Sequence, residues 1–260
     1  MTRCRPAAEV GELAATLVVT AASGAAGAIL FAIAEDGYST FPALIGQAGV
    51  PAAVVIVAAT VAAAAARRPR LWKGVLLAVW TGLFGTVVLE AVREIGFRGF
   101  HSMPGDLPQL MGVLLTSRIM DGPDLASNLA GWGDHFWNGA MFAIPYVLIL
   151  GGFPRHGRHW HGALIGAAYG LLLGTGFLVS PVPIAVGAGF FGNAMAPGFA
   201  IAVYLAHTGF GAFVGWLVHR FGRNLDPIWV PALELAGKFI PAARRNRELS
   251  PSQGRTRARR

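Results

Sequence analysis

The sequence predicts an all-α membrane protein, a six-helix transmembrane bundle with both termini in the cytoplasm. Three observations carry that reading. Hydrophobic residues make up 54% of the 260-residue chain and charged ones 13%, about half the ~25% usual in soluble domains. The apolar residues gather in six stretches, near 13–34, 44–66, 71–92, 132–152, 161–180 and 198–219. Each provides the ~20 apolar residues that a helix needs to cross ~30 Å of hydrocarbon, where backbone groups must be satisfied within their own helix. The basic residues then sort by link. Arg3 and Arg5 precede the first stretch, and Arg67, Arg68, Arg70 and Lys73 lie at the junction of the second and third. Arg155 and Arg158 separate the fourth from the fifth, and ten more basic residues from Arg220 to Arg260 follow the sixth. The alternate links hold only Arg93, Arg98 and Arg118, beside Glu35, Asp36, Glu94, Asp106, Asp121 and Asp124. Cationic links stay cytoplasmic, so the odd-numbered helices run outward through an inner (plasma) membrane. The same distribution explains the net charge of +8 without a nucleic-acid partner.

Residues 1–220 read as one transmembrane domain. Its first stretch has features of a signal peptide, with an Arg pair, an apolar run and Ala32-Ile33-Ala34. Its run of about 22 residues exceeds the ~7–15 of a signal-peptide core, so a retained helix is expected. Cys4 has no partner for an internal disulfide and reads as an inert cytoplasmic thiol. The second stretch is Ala-rich. The link after the third is the longest. In it, Asp106 followed by Leu107-Pro108-Gln109 reads as a helix start, and Leu107, Leu110, Met111, Leu114, Leu115 and Arg118 continue a helical stripe. A short helix is expected near 107–119, amphipathic on the outer surface or re-entrant. The link 181–197 carries no charge and is rich in Gly and Pro, which predicts that it folds back onto the membrane surface. Together the two links would roof the bundle.

The fifth stretch places Gly162, Gly166, Gly170 and Gly174 on one face, and the sixth carries Gly211 and Gly215. Small residues let helices approach closely in lipid, so these stripes predict tight seams, either within the chain or toward a second copy or another membrane subunit. After the sixth helix, residues 228–240 read as an interfacial segment. The stretch 243–260 holds seven arginines and reads as a disordered tail drawn to anionic lipid by ~1 kcal/mol per Arg.

Ionisable groups inside a bilayer cost ~2.5–3.5 kcal/mol or more at its centre, so each needs a partner or a purpose. His207 falls about ten residues into the sixth helix, ~15 Å deep at 1.5 Å per residue, with Tyr169 at a similar height on the fifth. Tyr204, three residues before His207, is placed to hydrogen-bond it. Asp134 and His135 open the fourth stretch, with Asp134 as the expected N-cap, His135 beside it, and Asn138 one turn on. Glu90, near the outer end of the third helix, shares their depth, or pairs with Arg93. Glu90, Asp134, His135 and His207 therefore form a candidate metal or proton site, and His207, His135, Tyr169 and Asn138 a candidate solute or ion site. A divalent cation suits that donor set. Bis-histidine haem does not, because the estimated depths of His135 and His207 differ by ~9 Å. His156, His159 and His161 crowd a link beside Arg155 and Arg158 and read as a cationic, headgroup-facing loop. The chain has no histidine box, His-Glu-x-x-His, phosphate loop or nucleophile elbow.

The runs Asp134-His135-Phe136-Trp137-Asn138-Gly139, Trp160-His161-Gly162 and His207-x-x-x-Gly211-x-x-x-Gly215 resemble a class of small, uncharacterised bacterial multi-pass membrane proteins. That class has a His-Phe at one helix start and a His-plus-Gly ladder in its last helix. The resemblance spans roughly residues 85–220. It implies fold and location, singles out His135 and His207, and implies no reaction. The expected function is binding or passage of a small solute, proton or metal ion at a site opening to the outer face. A membrane-embedded metal or haem enzyme and a non-catalytic subunit are the alternatives.

Overall fold

The computed structural model describes residues 5–195 and 197–239, and all regular elements among them are helical. The α-helices in chain order are α1 (Arg5–Ala25), α2 (Ile29–Glu35), α3 (Phe41–Leu44), α4 (Val50–Ala65), α5 (Pro69–Glu94), α6 (Leu107–Leu115), α7 (Leu125–Leu150), α8 (His159–Val179), α9 (Val182–Ala185), α10 (Gly198–Phe221) and α11 (Trp229–Phe239); π-helical turns at Ile45–Gly49 and Ile95–Gly99 join α3 to α4 and extend α5, and a 3-10 segment spans Phe190–Met195. Among the described residues, five helical stretches are long and apolar enough to cross a membrane: Glu9–Glu35, Phe41–Ala65, Pro69–Gly99, His159–Val179 and Gly198–Phe221. They correspond to the first, second, third, fifth and sixth stretches of the sequence. α7 has the length, at 26 residues, but Asp134, His135 and Asn138 hold its apolarity below that of the other five. Much of its second half is buried, from Asn138 to Leu148, and a polar helix is tolerated where protein surrounds it in place of lipid.

The bundle's outer surface is apolar. Val54, Val57 and Val61 on α4, Leu76 on α5, Leu172 on α8 and Leu205 on α10 are each more than half exposed. In water such a belt would drive association; against acyl chains it is the solvated face. This is a membrane-embedded helical protein. The Arg-rich stretch 243–260 and Cys4 lie outside the described residues.

Glycine seams draw the helices together. A Cβ at Gly166 would overlap the carbonyl oxygen of Gly211, one at Gly170 that of His207, and one at Gly215 that of Gly162. The stripe of α8 is therefore packed against the matching stripe of α10 in the same chain. A second seam brings Gly82 of α5 onto the backbone of Gly139 and Ala140 in α7. A third sets Gly112 of α6 against the carbonyl of Ser127, and Gly131 against that of Pro108, so the short α6 is fastened to the first turns of α7.

α7 starts seven residues before the expected stretch at 132. Asp124, not Asp134, is its N-cap: the Ser127 backbone N–H donates to the Asp124 carboxylate at 2.7 Å, and the Asp124 N–H donates back to the Ser127 hydroxyl at 2.8 Å. That reciprocal pair satisfies orphan donors at the helix start and holds the Asp124 carboxyl below the usual carboxylate range. The added turns pack Ser127 and Gly131 against α6, and these small and polar residues interrupt the apolar run from which a start at 132 is read. α6 is also shorter than expected, ending at Leu115. Asp106 occupies its N-cap position without a side-chain cap bond, because its carboxylate is drawn to Arg93.

At the opposite end, Arg70 ties four segments together. Its guanidinium donates to the carbonyls of Asp226 (3.0 Å) and Leu148 (2.7 Å) and to the Thr16 hydroxyl (3.1 Å). Gly151, with φ +53, lets the chain leave α7 directly against the Leu225 carbonyl, where a side chain would be both strained and obstructed.

Candidate functional site

α5, α7 and the link before α6 assemble a buried ionic cluster. Arg93 lies one turn after Glu90 on α5, so their side chains meet on one face. Its Nε donates to both Glu90 oxygens (2.8 and 2.9 Å), and its Nη2 donates to Glu90 (2.7 Å), Glu94 (2.8 Å) and Asp106 (3.1 Å). The Arg93 and Glu90 side chains are only 3% and 7% exposed. Arg98 adds an ion pair to Glu94 at the surface. From α7, His135 brings Nε2 within 2.8 Å of Glu90 Oε1, but the ring N–H is poorly aimed, and Nε2 makes no directed hydrogen bond.

Beside this cluster lies a chamber of about 730 Å³. Arg93, Thr86, His135 and Asn138 contribute its polar wall, and Leu173, Phe177 and Phe210 are among its apolar lining. Its cover comes from Met103–Leu107 and the buried face of α6 on one side, and from Val182 and Val186 on the other. The two links expected to roof the bundle do both line it. His207 reaches the chamber from α10. Its Nδ1 is 2.9 Å from the Val203 carbonyl, which can only accept, so Nδ1 carries the proton and Nε2 is left as an acceptor. The expected Tyr204–His207 bond is absent: the Tyr204 hydroxyl meets that of Thr175 at 3.1 Å. A tilted ring contact of His207 with Phe177, 5.8 Å between centroids, takes its place.

The other named residues divide. Asn138 is on the chamber wall and donates from Nδ2 to Asp134 at 3.0 Å. Asp134 thus sits ten residues inside α7, paired across one turn, and is not a chamber residue. Tyr169 also stands off the chamber, donating to the Phe142 carbonyl at 2.7 Å and making a tilted ring contact with Tyr146. Glu90 and His135 do meet. Among the described residues, no three His, Cys, Asp or Glu side chains converge as a metal site would require, so the four candidate ligands do not form one cage. Glu90's oxygens are already engaged by a guanidinium, which competes directly with a divalent cation.

Sequence reasoning missed a second polar cluster at the far end. His219 is 1% exposed on α10. Its Nε2 lies 2.9 Å from the Pro154 carbonyl and its Nδ1 3.2 Å from Nδ1 of His159. The carbonyl requires Nε2–H, so His159 donates to His219 Nδ1 when both are neutral. Arg223 donates to the Gly157 carbonyl at 2.7 Å, and Arg155 pairs with Asp226. The histidine-rich link is thereby pinned to α10; among its histidines, His159 turns inward. The only available signal was a histidine at the end of the sixth apolar stretch, where basic residues commonly sit.

No family model matches this sequence, and neither a curated protein nor a solved structure gives a significant match to it.

Proposed function

We propose that the chain is a six-helix inner-membrane protein with both termini cytoplasmic, and that it binds a small solute in the chamber beside Arg93, near the outer face. α7 is the sixth spanning helix in this reading. The charge pattern supports the orientation: the Arg70, Arg155 and Arg223 end is rich in cations, and the Glu90 end in carboxylates. The observation that carries the binding reading is the chamber itself. It has the size of a small-molecule site, mostly apolar walls and a few convergent polar groups, the usual composition of ligand pockets.

The test uses a single cysteine at Leu173, which is half-buried and lines the chamber, in a Cys4→Ser background. N-ethylmaleimide should label Leu173→Cys in membranes at a rate at least tenfold above Val214→Cys, which is 0% exposed in the helix core. Equal, negligible labelling of both would mean that small molecules do not reach the chamber, and would end this reading. Metal analysis of the purified protein addresses the metal-enzyme alternative: stoichiometric metal lost in both His135→Ala and His207→Ala would favour it.

A further inference from the structure

The polar groups on the chamber wall differ in the direction in which they can bond. The Thr86 hydroxyl donates to the Gly82 carbonyl at 2.9 Å and the Ser180 hydroxyl to that of Phe177 at 2.7 Å, while Nε and Nη2 of Arg93 are spent on carboxylates. These three residues line the chamber, and their donors are turned back into the protein. His207 turns its proton inward as well, from Nδ1 to the Val203 carbonyl, so that Nε2 of the neutral ring can only accept. Asn138 donates from Nδ2 to Asp134, which leaves Oδ1 as its outward atom. Among the described residues, the unpartnered side-chain atoms sealed from small molecules are Arg93 Nη1, His135 Nε2 and Asp226 Oδ1. His207 Nε2 and Asn138 Oδ1 are not among them, and both keep accessible surface.

The register of α10 places the His207 surface. Ile201, Leu205 and Trp216 mark the helix's outer stripe, each 40% or more exposed. At ~100° per residue His207 stands ~200° round from Leu205, on the opposite side, with the buried Val203, Phe210 and Val214. Its open nitrogen therefore belongs to the chamber that it lines. A water satisfies Nε2 as an alcohol does, so this bond selects only a donor; the surroundings select the rest. Phe177 lies against the ring, and Leu173 and Phe210 continue an apolar wall. The carboxylate on the chamber lining, Asp106, is already paired with Arg93. An ammonium beside His207 would be left without a counter-charge, which is costly away from water, and an anion would set its lone pairs against those of His207. A neutral hydroxyl does neither.

We infer that the chamber takes a neutral, largely apolar alcohol or phenol whose hydroxyl donates to His207 Nε2. This rests on the binding function proposed above and names its ligand class.

The experiment measures the rise in melting temperature of the detergent-purified full chain against probe concentration, in matched pairs that differ only at the hydroxyl. Para-hexylphenol is paired with para-hexylanisole and decanol with decyl methyl ether; decylammonium is the charged donor. At least one hydroxyl probe should stabilise saturably, with an apparent Kd tenfold or more below those of its ether and of decylammonium, and the pair that shows this separates phenol from alcohol. His207→Phe, which keeps a ring but has no acceptor, should bring that probe to within twofold of its ether. If His207→Phe does not fold, the Nε2 resonance of ¹⁵N-labelled His207 in the wild type decides: it should move with the hydroxyl probe and not with the ether. Modification of Leu173→Cys by N-ethylmaleimide should abolish the shift by occupying the chamber. The inference is overturned if an ether or decylammonium binds as tightly as the hydroxyl probes, if the preference survives His207→Phe or chamber modification, if the Nε2 resonance does not distinguish the pair, or if no probe shifts the melting temperature. In that last case labelling of Leu173→Cys limits the failure to the ligand class; without labelling the binding function fails as well.

Discussion

Replacing Arg93 by Met tests whether the ionic cluster is a single coupled unit. Arg93 and Glu90 are joined by three contacts of 2.7–2.9 Å and are almost wholly enclosed. Removing one partner of such a pair leaves an uncompensated buried charge and costs about 3–5 kcal/mol. Glu94 and Asp106 are 27% and 19% exposed, so solvent compensates them in part, and the loss falls mainly on Glu90. Glu90→Gln leaves Arg93 with its two remaining carboxylates and should cost less, about 1–3 kcal/mol as for a group losing a charged hydrogen-bond partner. In the double variant no carboxylate at 90 is stranded, so its loss should fall short of the sum by about 1.5 kcal/mol or more. Equilibrium unfolding in mixed dodecyl maltoside and dodecyl sulfate micelles, followed by tryptophan fluorescence, reads all three. Additivity to within about 0.5 kcal/mol, as for independent sites, would refute the argument that Glu90 is the partner on which Arg93's burial depends.

Two further outcomes follow from the packing and capping. Gly166→Ala forces a methyl onto the Gly211 carbonyl and should cost about 1–3 kcal/mol through overpacking, whereas Gly24→Ala, with nothing near its Cβ, should be neutral or stabilising in the same unfolding assay; equal losses would mean that the α8–α10 seam is not tight. Asp124→Ala should raise amide exchange over the first turn of α7 without altering its second half. Because the Asp124 carboxyl sits below its ordinary value of ~3.9, its contribution is complete above that pH and disappears as pH falls through the lowered value. Wild-type first-turn protection should therefore survive at pH 5 and decline only in stronger acid; loss already at pH 5 would contradict the capping geometry.

The Glu90–Arg93 pair shows what was legible in advance. An ionisable residue near a helix end, three positions from an opposite charge, is visible from helical spacing alone. That His135 meets Glu90 was suggested by their shared depth, since both lie toward the same end of adjacent helices. Asp106 as a further partner of Arg93 was not legible, because its place before Leu107-Pro108 read as a cap, and only the folding of α6 onto α7 turned it inward. His207 is legible from depth, but its partner is not: the Val203 carbonyl accepts from its Nδ1–H, in place of the expected bond with Tyr204. His219 went unremarked because a histidine at a basic helix end has an ordinary explanation until His159 and Pro154 are seen beside it.

By itself the sequence determined the solvent and the elements. Apolar length, the sorting of cations by link and the four-residue glycine spacing are one-dimensional properties, and lipid leaves helices few ways to satisfy them. The tertiary structure decided which glycine stripe meets which, where α7 begins, and that a chamber is left between α2, α8 and α10. Those outcomes depend on contacts between residues far apart in the chain, such as Gly112 with Ser127 or Arg93 with Asp106, whose energies are set by approach distance and burial and leave no periodic trace in the sequence.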